Sequence, residues 1–177
     1  MKKILIKYRF LGIVIAFLTF LTIFNLEFGK SVVNLTTVQL KEMILVIPPI
    51  FLLLGLLDVW VSKETMSKYM GEGSGLKGIF LALLIGGAAA GPLYGAFPVA
   101  AVFMKKGVKF RNVLIFIGAW STTKIPMLLF EIASLGPRFA LTRFLIDIPG
   151  IILMAQLLTL LMSKDEVQQM YKKAESL

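Results

Sequence analysis

Long apolar runs along the chain alternate with short polar or glycine-rich stretches. A bilayer core needs about 20 helical residues for one crossing. Four runs are each assigned one crossing: Phe10–Phe24, Met43–Val61, Asn112–Leu135 and Phe144–Met162. The pattern predicts an all-α polytopic membrane protein that forms a single membrane domain over residues 1–177.

A fifth run, Gly78–Met104, does not fit a simple crossing. It is 27 residues long and is interrupted by the stretch Gly91–Pro98. Proline removes a backbone donor and glycine frees the backbone, so the helix should break there. The run is either one kinked crossing, for five crossings in all, or a re-entrant hairpin of two half-length helices.

The distribution of Lys and Arg separates these two arrangements. A re-entrant hairpin places fourteen basic residues on the inner side and four on the outer side, whereas a full crossing gives nine on each side. The positive-inside rule favours the hairpin, with a cytoplasmic N-terminus and tail (residues 163–177) in the cell (plasma or inner) membrane. An even balance is also what a protein inserted in both orientations would show.

Composition excludes several classes of function. The chain is 58% hydrophobic and only 16% charged, with a mean hydropathy of +0.86. It has no cysteine and no histidine, which removes disulfides and any histidine-based metal site. Carboxylates and backbone oxygens could still bind a metal, but no carboxylate cluster supports this, so we expect no metal and no cofactor. The net charge of +9 is typical of helix ends beside anionic headgroups, so we expect no nucleic-acid partner.

The basic N-terminus, residues 1–9, followed by an apolar run imitates a secretory signal peptide. However, Asn25-Leu26-Glu27-Phe28 offers no small-x-small cleavage site. An uncleaved first membrane helix is therefore the better interpretation.

The first candidate site is the interruption in Gly78–Met104. Transporters use broken helices because the ends of half-helices present free backbone groups and their dipoles to a substrate. The candidate substrate-binding residues here are Gly91, Pro92, Tyr94, Gly95 and Pro98. The alternative is that Gly87, Gly91 and Gly95, together with the adjoining alanines 88–90, only let helices pack closely.

The second candidate site lies within Asn112–Leu135. It contains three hydroxyls, an ammonium and a proline: Ser121, Thr122, Thr123, Lys124 and Pro126. A lysine at this depth should face protein or water, and it could supply positive charge for an anion. The alternative is a structural lysine paired with Glu131, seven residues further on. Pro126 leaves the carbonyl of Thr122 without its helical partner.

Two further patterns near these candidates receive a structural interpretation. Ser121-Thr122-Thr123-Lys124 matches the bare Ser-x-x-Lys pattern of serine acyl-enzymes, but the companion motifs are missing. We therefore expect no enzymatic activity. Arg143 and Asp147 have i,i+4 spacing and should pair along the last helix.

Several short motifs follow one another from Leu83 to Pro149. They are a Gly/Ala-rich helix, Pro92, Gly95-Ala96-Phe97-Pro98-Val99-Ala100, Lys105-Lys106-Gly107-Val108, the polar break with its proline, Leu135-Gly136 and Arg143. This part of the chain resembles the ArsP-type predicted permease family, which includes the YraQ-like proteins. Family members often carry a Cys-Ser-Cys-Gly-like motif where this chain has Leu93-Tyr94-Gly95, so thiol-dependent handling of trivalent arsenic does not carry over.

Typical members of that family are about twice this length and contain two such halves. The resemblance therefore implies a half-size permease that dimerises. Our hypothesis is a homodimeric permease whose solute, an anion or oxyanion, binds where the two breaks meet. The alternative is a non-transporting membrane scaffold or assembly protein.

Overall fold

The computed structural model describes residues 2–89 and 91–176, and all regular elements among them are helical. Ala90, one of the three alanines noted above, lies outside the described residues. The α-helices are α1 (Lys2–Phe24), α2 (Leu26–Trp60), α3 (Lys63–Met70), α4 (Gly75–Ala88), α5 (Ala96–Lys105), α6 (Phe110–Thr122), α7 (Ile125–Leu135), α8 (Pro137–Leu161) and α9 (Lys164–Glu175). A short 3₁₀ helix, Leu93–Gly95, precedes α5.

The chain divides into two compact units, Met1–Pro48 and Pro49–Leu177. In the first unit, Asn25 separates α1 from α2, and its side-chain oxygen accepts a hydrogen bond from the N–H of Phe28 at 3.0 Å. This contact caps one of the free donors at the start of α2. The polar stretch from Asn25 to Glu42 was not predicted to be helical; it belongs to α2 from Leu26 onward.

Helix α6 lies at the centre of the second unit and packs against α4, α5 and α8. Its buried face carries large side chains, among them Ile115, Phe116 and Trp120. The Phe116 ring contacts Phe103 of α5 with centroids 4.8 Å apart, and Trp120 with centroids 5.5 Å apart. This apolar packing holds the middle of the unit together and fixes the position of both interruptions.

Basic residues gather at one end of the second unit, among them Lys106, Lys109, Lys164, Lys172 and Lys173. We call this end the basic end: the α3–α4 link, the α5–α6 link and α9. The N–H of Lys109 donates to the carbonyl of Met70 at 2.9 Å, and a Cβ placed at Gly71 would lie 3.0 Å from the carbonyl oxygen of Gly107. Helix α4 therefore begins beside the point where α5 ends, so the chain leaves the basic end and returns to it.

The buried side chain of Asn112 reinforces the same junction. Its amide nitrogen donates to the carbonyl of Met70 at 2.8 Å and to the hydroxyl of Ser74 at 3.2 Å. The ammonium of Lys106 donates to the carbonyl of Val61 at 2.5 Å. Buried polar groups are retained where they are hydrogen-bonded, and these bonds tie three links together.

Two stretches among the described residues are long and apolar enough to cross a membrane, Phe110–Leu135 and Pro137–Leu161. The four or five crossings expected from the sequence are not confirmed by this criterion. Helix α8 begins at Pro137, earlier than the predicted start at Phe144, and continues through Pro149. Many of its large side chains are exposed, for example Leu145 (68%) and Leu153 (61%). Such a surface suits lipid better than water.

Helix α9 forms in the charged tail. Ser163 and Glu166 make a reciprocal capping box at its start, and hydrogen bonds from the Ser163 backbone and hydroxyl lower the pKa of the Glu166 carboxyl. Further along the helix, the Tyr171 hydroxyl donates to the carbonyl of Val108 at 2.6 Å. Burial, with a smaller contribution from Glu72, raises the pKa of Tyr171 to about 12.

Candidate functional site

The first interruption lies between α4 and α5. Ala89 and Pro92 have extended backbone, and Gly91 has a φ of +99°. A residue with a Cβ is strained at such a φ, so glycine is the residue that suits this position. The helical course resumes in the 3₁₀ turn and then in α5, with Pro98 in its first turn.

The second interruption separates α6 from α7. Thr123 (φ −113°, ψ 28°) and Lys124 (φ −62°, ψ 134°) leave the helical conformation, and Ile125 starts α7. Pro126 occupies the first turn of α7, where its missing N–H is not needed. The same proline deprives the Thr122 carbonyl of its i+4 donor.

The two interruptions contact each other directly. The ammonium of Lys124 donates to the carbonyl of Gly91 at 2.9 Å. The indole N–H of Trp120 lies 3.3 Å from the same oxygen and 3.2 Å from the carbonyl oxygen of Pro92. Backbone carbonyls released by the first break are thus satisfied by side chains beside the second break.

Glycines allow this close approach. A Cβ at Gly86 would lie 2.5 Å from the carbonyl oxygen of Phe116, and one at Gly87 would lie 3.1 Å from that of Thr123. A Cβ at Gly95 would clash with Ile50. Close packing is therefore one role of the glycine-rich segment, as the alternative interpretation of the sequence holds, and Gly91 adds a conformational requirement of its own.

A second cluster of charges lies next to the α6–α7 break. The Arg143 guanidinium of α8 bonds Glu131 of α7 at 2.7 Å and Asp147, one turn along α8, at 2.6 Å. It also donates to the carbonyl of Thr122 at 2.8 Å. Glu131 is only 6% exposed, so its charge needs this partner. The predicted Arg143–Asp147 pair is confirmed.

The alternative pairing of Lys124 with Glu131 is wrong. Glu131 bonds Arg143, and the Lys124 ammonium bonds Gly91. The spacing argument assumed one helix through both residues, whereas Lys124 sits at the non-helical cap of α7. The threefold role of Arg143 was missed. The sequence contained a signal for this role. Pro126 leaves the Thr122 carbonyl without a helical donor, so that carbonyl needs a donor from another helix.

The candidate residues from the sequence differ in what they offer to a solute. The side chains of Tyr94 (38% exposed), Ser121 and Pro126 are exposed, while Gly91, Pro92, Pro98, Thr122 and Lys124 are half-buried and Gly95 and Thr123 are buried. Thr122 and Thr123 donate their hydroxyl protons to the carbonyls of Gly118 and Ala119. Their oxygens can still accept a hydrogen bond, but their protons are engaged.

Comparison with known proteins identifies a family. A family model described as a predicted permease, of the ArsP type, matches residues 29–177. No curated protein matches the chain. No solved structure matches it.

Proposed function

The chain belongs to the ArsP-type predicted permease family and is a membrane protein, and from this premise we propose that it carries a small anion or oxyanion across the membrane. The solute would bind where the α4–α5 break meets the α6–α7 break. The observation that carries this proposal is the 2.9 Å contact between the Lys124 ammonium and the Gly91 carbonyl, which joins the two breaks.

The electrostatics of this junction favour an anion. Helices α5 and α7 both begin at the breaks, and the start of a helix carries a partial positive charge. No described side chain caps either start. Lys124 adds a full positive charge at the same place. Helix ends of this kind present free N–H groups to anionic solutes in transporters.

The side chains would contact the solute in different ways, as donors, as acceptors or by charge. The side-chain hydroxyls of Tyr94 and Ser121 make no hydrogen bond to other described residues, so they are free to donate to a solute. Thr122 and Thr123 would contribute only as acceptors. Lys124 would exchange the Gly91 carbonyl for the solute. This exchange would remove one of the links between the breaks, while the hydrogen bonds of Trp120 to Gly91 and Pro92 persist. Pro92, Pro98 and Pro126 would keep the helices open.

We further propose that α4 and α5 form a re-entrant hairpin. The two helices have 14 and 10 residues, so they span about 21 and 15 Å at 1.5 Å per residue, against about 30 Å for a bilayer core. The contacts at the basic end between Met70 and Lys109 support entry and exit on one side.

A homodimer would complete the pathway. Transporter sites usually lie between two structural repeats near the bilayer midplane. The described residues of this chain contain one pair of interrupted helices, and a second copy would supply the other pair. Purified protein that remains a monomer in lipid nanodiscs while it transports would rule out the dimer without affecting the rest of the proposal.

The test is uptake into liposomes that contain the full chain, with phosphate, sulfate and chloride as trial anions and a neutral sugar as comparison. Lys124→Met should lower anion flux by about tenfold or more, since a charge-assisted hydrogen bond is lost. Tyr94→Phe, which removes only the hydroxyl, should lower it less. Lys68→Met, an exposed lysine of α3, is the matched control and should leave flux unchanged.

A non-transporting scaffold remains the second candidate, because the close contacts at Gly86 and Gly87 serve packing. It would replace the permease proposal if no solute moves in any screen, or if the Lys124 and Tyr94 variants match the parent. We propose no enzymatic activity, because the Lys124 ammonium bonds Gly91 rather than activating Ser121. Labelling of Ser121 by a serine-directed covalent probe would contradict this.

A further inference from the structure

A cavity of 570 Å³ lies at the basic end, away from both breaks. Its walls are the start of α6, the end of α8 and one face of α9. The α9 face carries Lys164, Val167, Gln168 and Tyr171, a spacing that places all four on one side of a helix. The cavity is bordered by these three elements and is open to the surface. The hydrogen bond from Tyr171 to Val108 holds α9 in place beside it.

The charges around the cavity are mostly positive. Lys109, Arg111 and Lys164 line it, against one carboxylate, Glu72. Glu72 is bound to Lys109 at 2.6 Å and is 80% exposed. One basic residue is thus neutralised at the rim, and the other two leave an uncompensated charge of about +2.

Two of these groups have hydrogen-bonding capacity to spare. The Nε of Arg111 is buried and has no partner among the described residues, while its NH1 is held by Gln156 at 3.2 Å. The ammonium of Lys164 makes no hydrogen bond to any described residue. A buried donor without a partner is unfavourable, and an anion in the cavity would satisfy it. Helix α6 also starts here, with no cap from any side chain that the structure describes, so its positive end faces the same space.

The cavity adjoins a surface suited to acyl chains. Met162 lines it, and the preceding residues of α8, Leu160 and Leu161, are 71% and 80% exposed. A phosphate in the cavity could therefore be part of a lipid whose chains lie along α8. Basic sites at the cytoplasmic ends of membrane helices recognise anionic headgroups in this way.

We infer that this cavity binds a phosphate-type anion, supplied by the headgroup of an anionic phospholipid, through Arg111 and Lys164. The site does not depend on the transport proposal, since none of its residues belongs to the junction of the breaks. The binding of the headgroup would also fix α9 against the body of the second unit.

The test uses the full chain in detergent, titrated with phosphatidylglycerol or with phosphatidylcholine of the same acyl chains, and separately with inorganic phosphate. Binding is read from the rise in Tm with ligand concentration. Phosphatidylglycerol should raise Tm and phosphatidylcholine should not. Arg111→Gln and Lys164→Gln should each weaken the apparent Kd by about tenfold. Lys173→Gln removes the same charge from α9 outside the cavity and should leave the Kd unchanged.

Lys164→Gln alters an exposed residue and so keeps the test open if Arg111→Gln does not fold. A Tm rise with phosphatidylglycerol alone identifies the lipid as the source of the phosphate. A rise with inorganic phosphate that competes with phosphatidylglycerol supports the phosphate site and shows that free anions also enter. The inference fails if neither ligand raises Tm, if the Lys164 variant binds like the parent, or if Lys173→Gln weakens binding equally.

Discussion

The guanidinium of Arg143 donates to the carbonyl oxygen of Thr122 across 2.8 Å, and Thr122 is the residue whose helical donor Pro126 removes. One side chain on α8 thus replaces the hydrogen bond missing at the α6–α7 break. Because the same guanidinium binds Glu131 and Asp147, the charges of α7 and α8 are linked to the conformation of the break.

Arg143→Gln should therefore destabilise the protein. It leaves Glu131 buried without a counter-charge, which should lower the free energy of unfolding by about 3 kcal/mol. Arg143→Lys keeps the charge but cannot reach three acceptors with one ammonium, so an intermediate loss is expected. Arg138→Gln, an exposed change on the same helix, is the control. Denaturant unfolding in mixed micelles gives the comparison, and equal stability of the Arg143→Gln and Arg138→Gln proteins would contradict the linkage.

Gly86→Ala should disrupt the contact between α4 and α6. The new methyl group would lie 2.5 Å from the Phe116 carbonyl oxygen and 2.7 Å from the Ala119 Cβ, and overpacking of this kind costs about 1–3 kcal/mol. Gly150→Ala, in α8, has nothing within 4 Å and should be neutral or slightly stabilising. Thermal unfolding of the two variants in one detergent is the measurement. A Gly86→Ala protein with the same Tm as the parent would show that α4 and α6 can move apart without loss of stability.

Labelling of engineered cysteines should show both ends of the α4–α5 hairpin on one side of the membrane. The chain has no native cysteine, so Lys68→Cys, Lys105→Cys and Arg138→Cys each report a single position. With a membrane-impermeant maleimide on intact cells, Lys68→Cys and Lys105→Cys should be protected and Arg138→Cys labelled. Opposite results for Lys68→Cys and Lys105→Cys would establish a full crossing, and partial labelling of all three would indicate dual topology.

The attachment of α9 should weaken at high pH. Tyr171 has its pKa raised to about 12 from an ordinary value of 10.0, so the folded state favours the protonated hydroxyl that donates to Val108. The stabilisation from this bond, about 1 kcal/mol, should be complete below pH 10 and lost as the pH rises through 12. The difference in tyrosinate absorbance between the parent and Tyr171→Phe isolates this titration. A midpoint near pH 10 would be inconsistent with a buried hydroxyl.

Much of the second unit could be predicted from local sequence. Glycine and proline act on the conformation of their own backbone, so their effects can be read from local sequence. The sequence predicted interruptions at Gly91–Pro98 and at Ser121–Pro126. In the structure, α4 ends at Ala88 and α6 ends at Thr122. The family resemblance is confirmed. The number of membrane crossings, the dimer and the solute stay predictions.

What could not be predicted depends on contacts between distant segments. The partner of Glu131 lies on α8, twelve residues away and beyond a turn, and no periodicity within α7 points to it. The helical state of residues 26–42 was missed for a local reason. Its hydroxyls do not oppose the helix, since Thr36 and Thr37 donate to the carbonyls of Val32 and Val33 one turn back.

The Gly91 carbonyl holds two donors of unequal character, the neutral indole of Trp120 and the charged ammonium of Lys124. An arriving anion attracts the charged ammonium more strongly than the neutral indole N–H. Release of Lys124 would therefore leave the tip of the α4–α5 hairpin attached at Trp120, free to swing about that point while its register is kept. The junction would then act as a gate that stays attached at Trp120 and opens when the solute itself displaces Lys124.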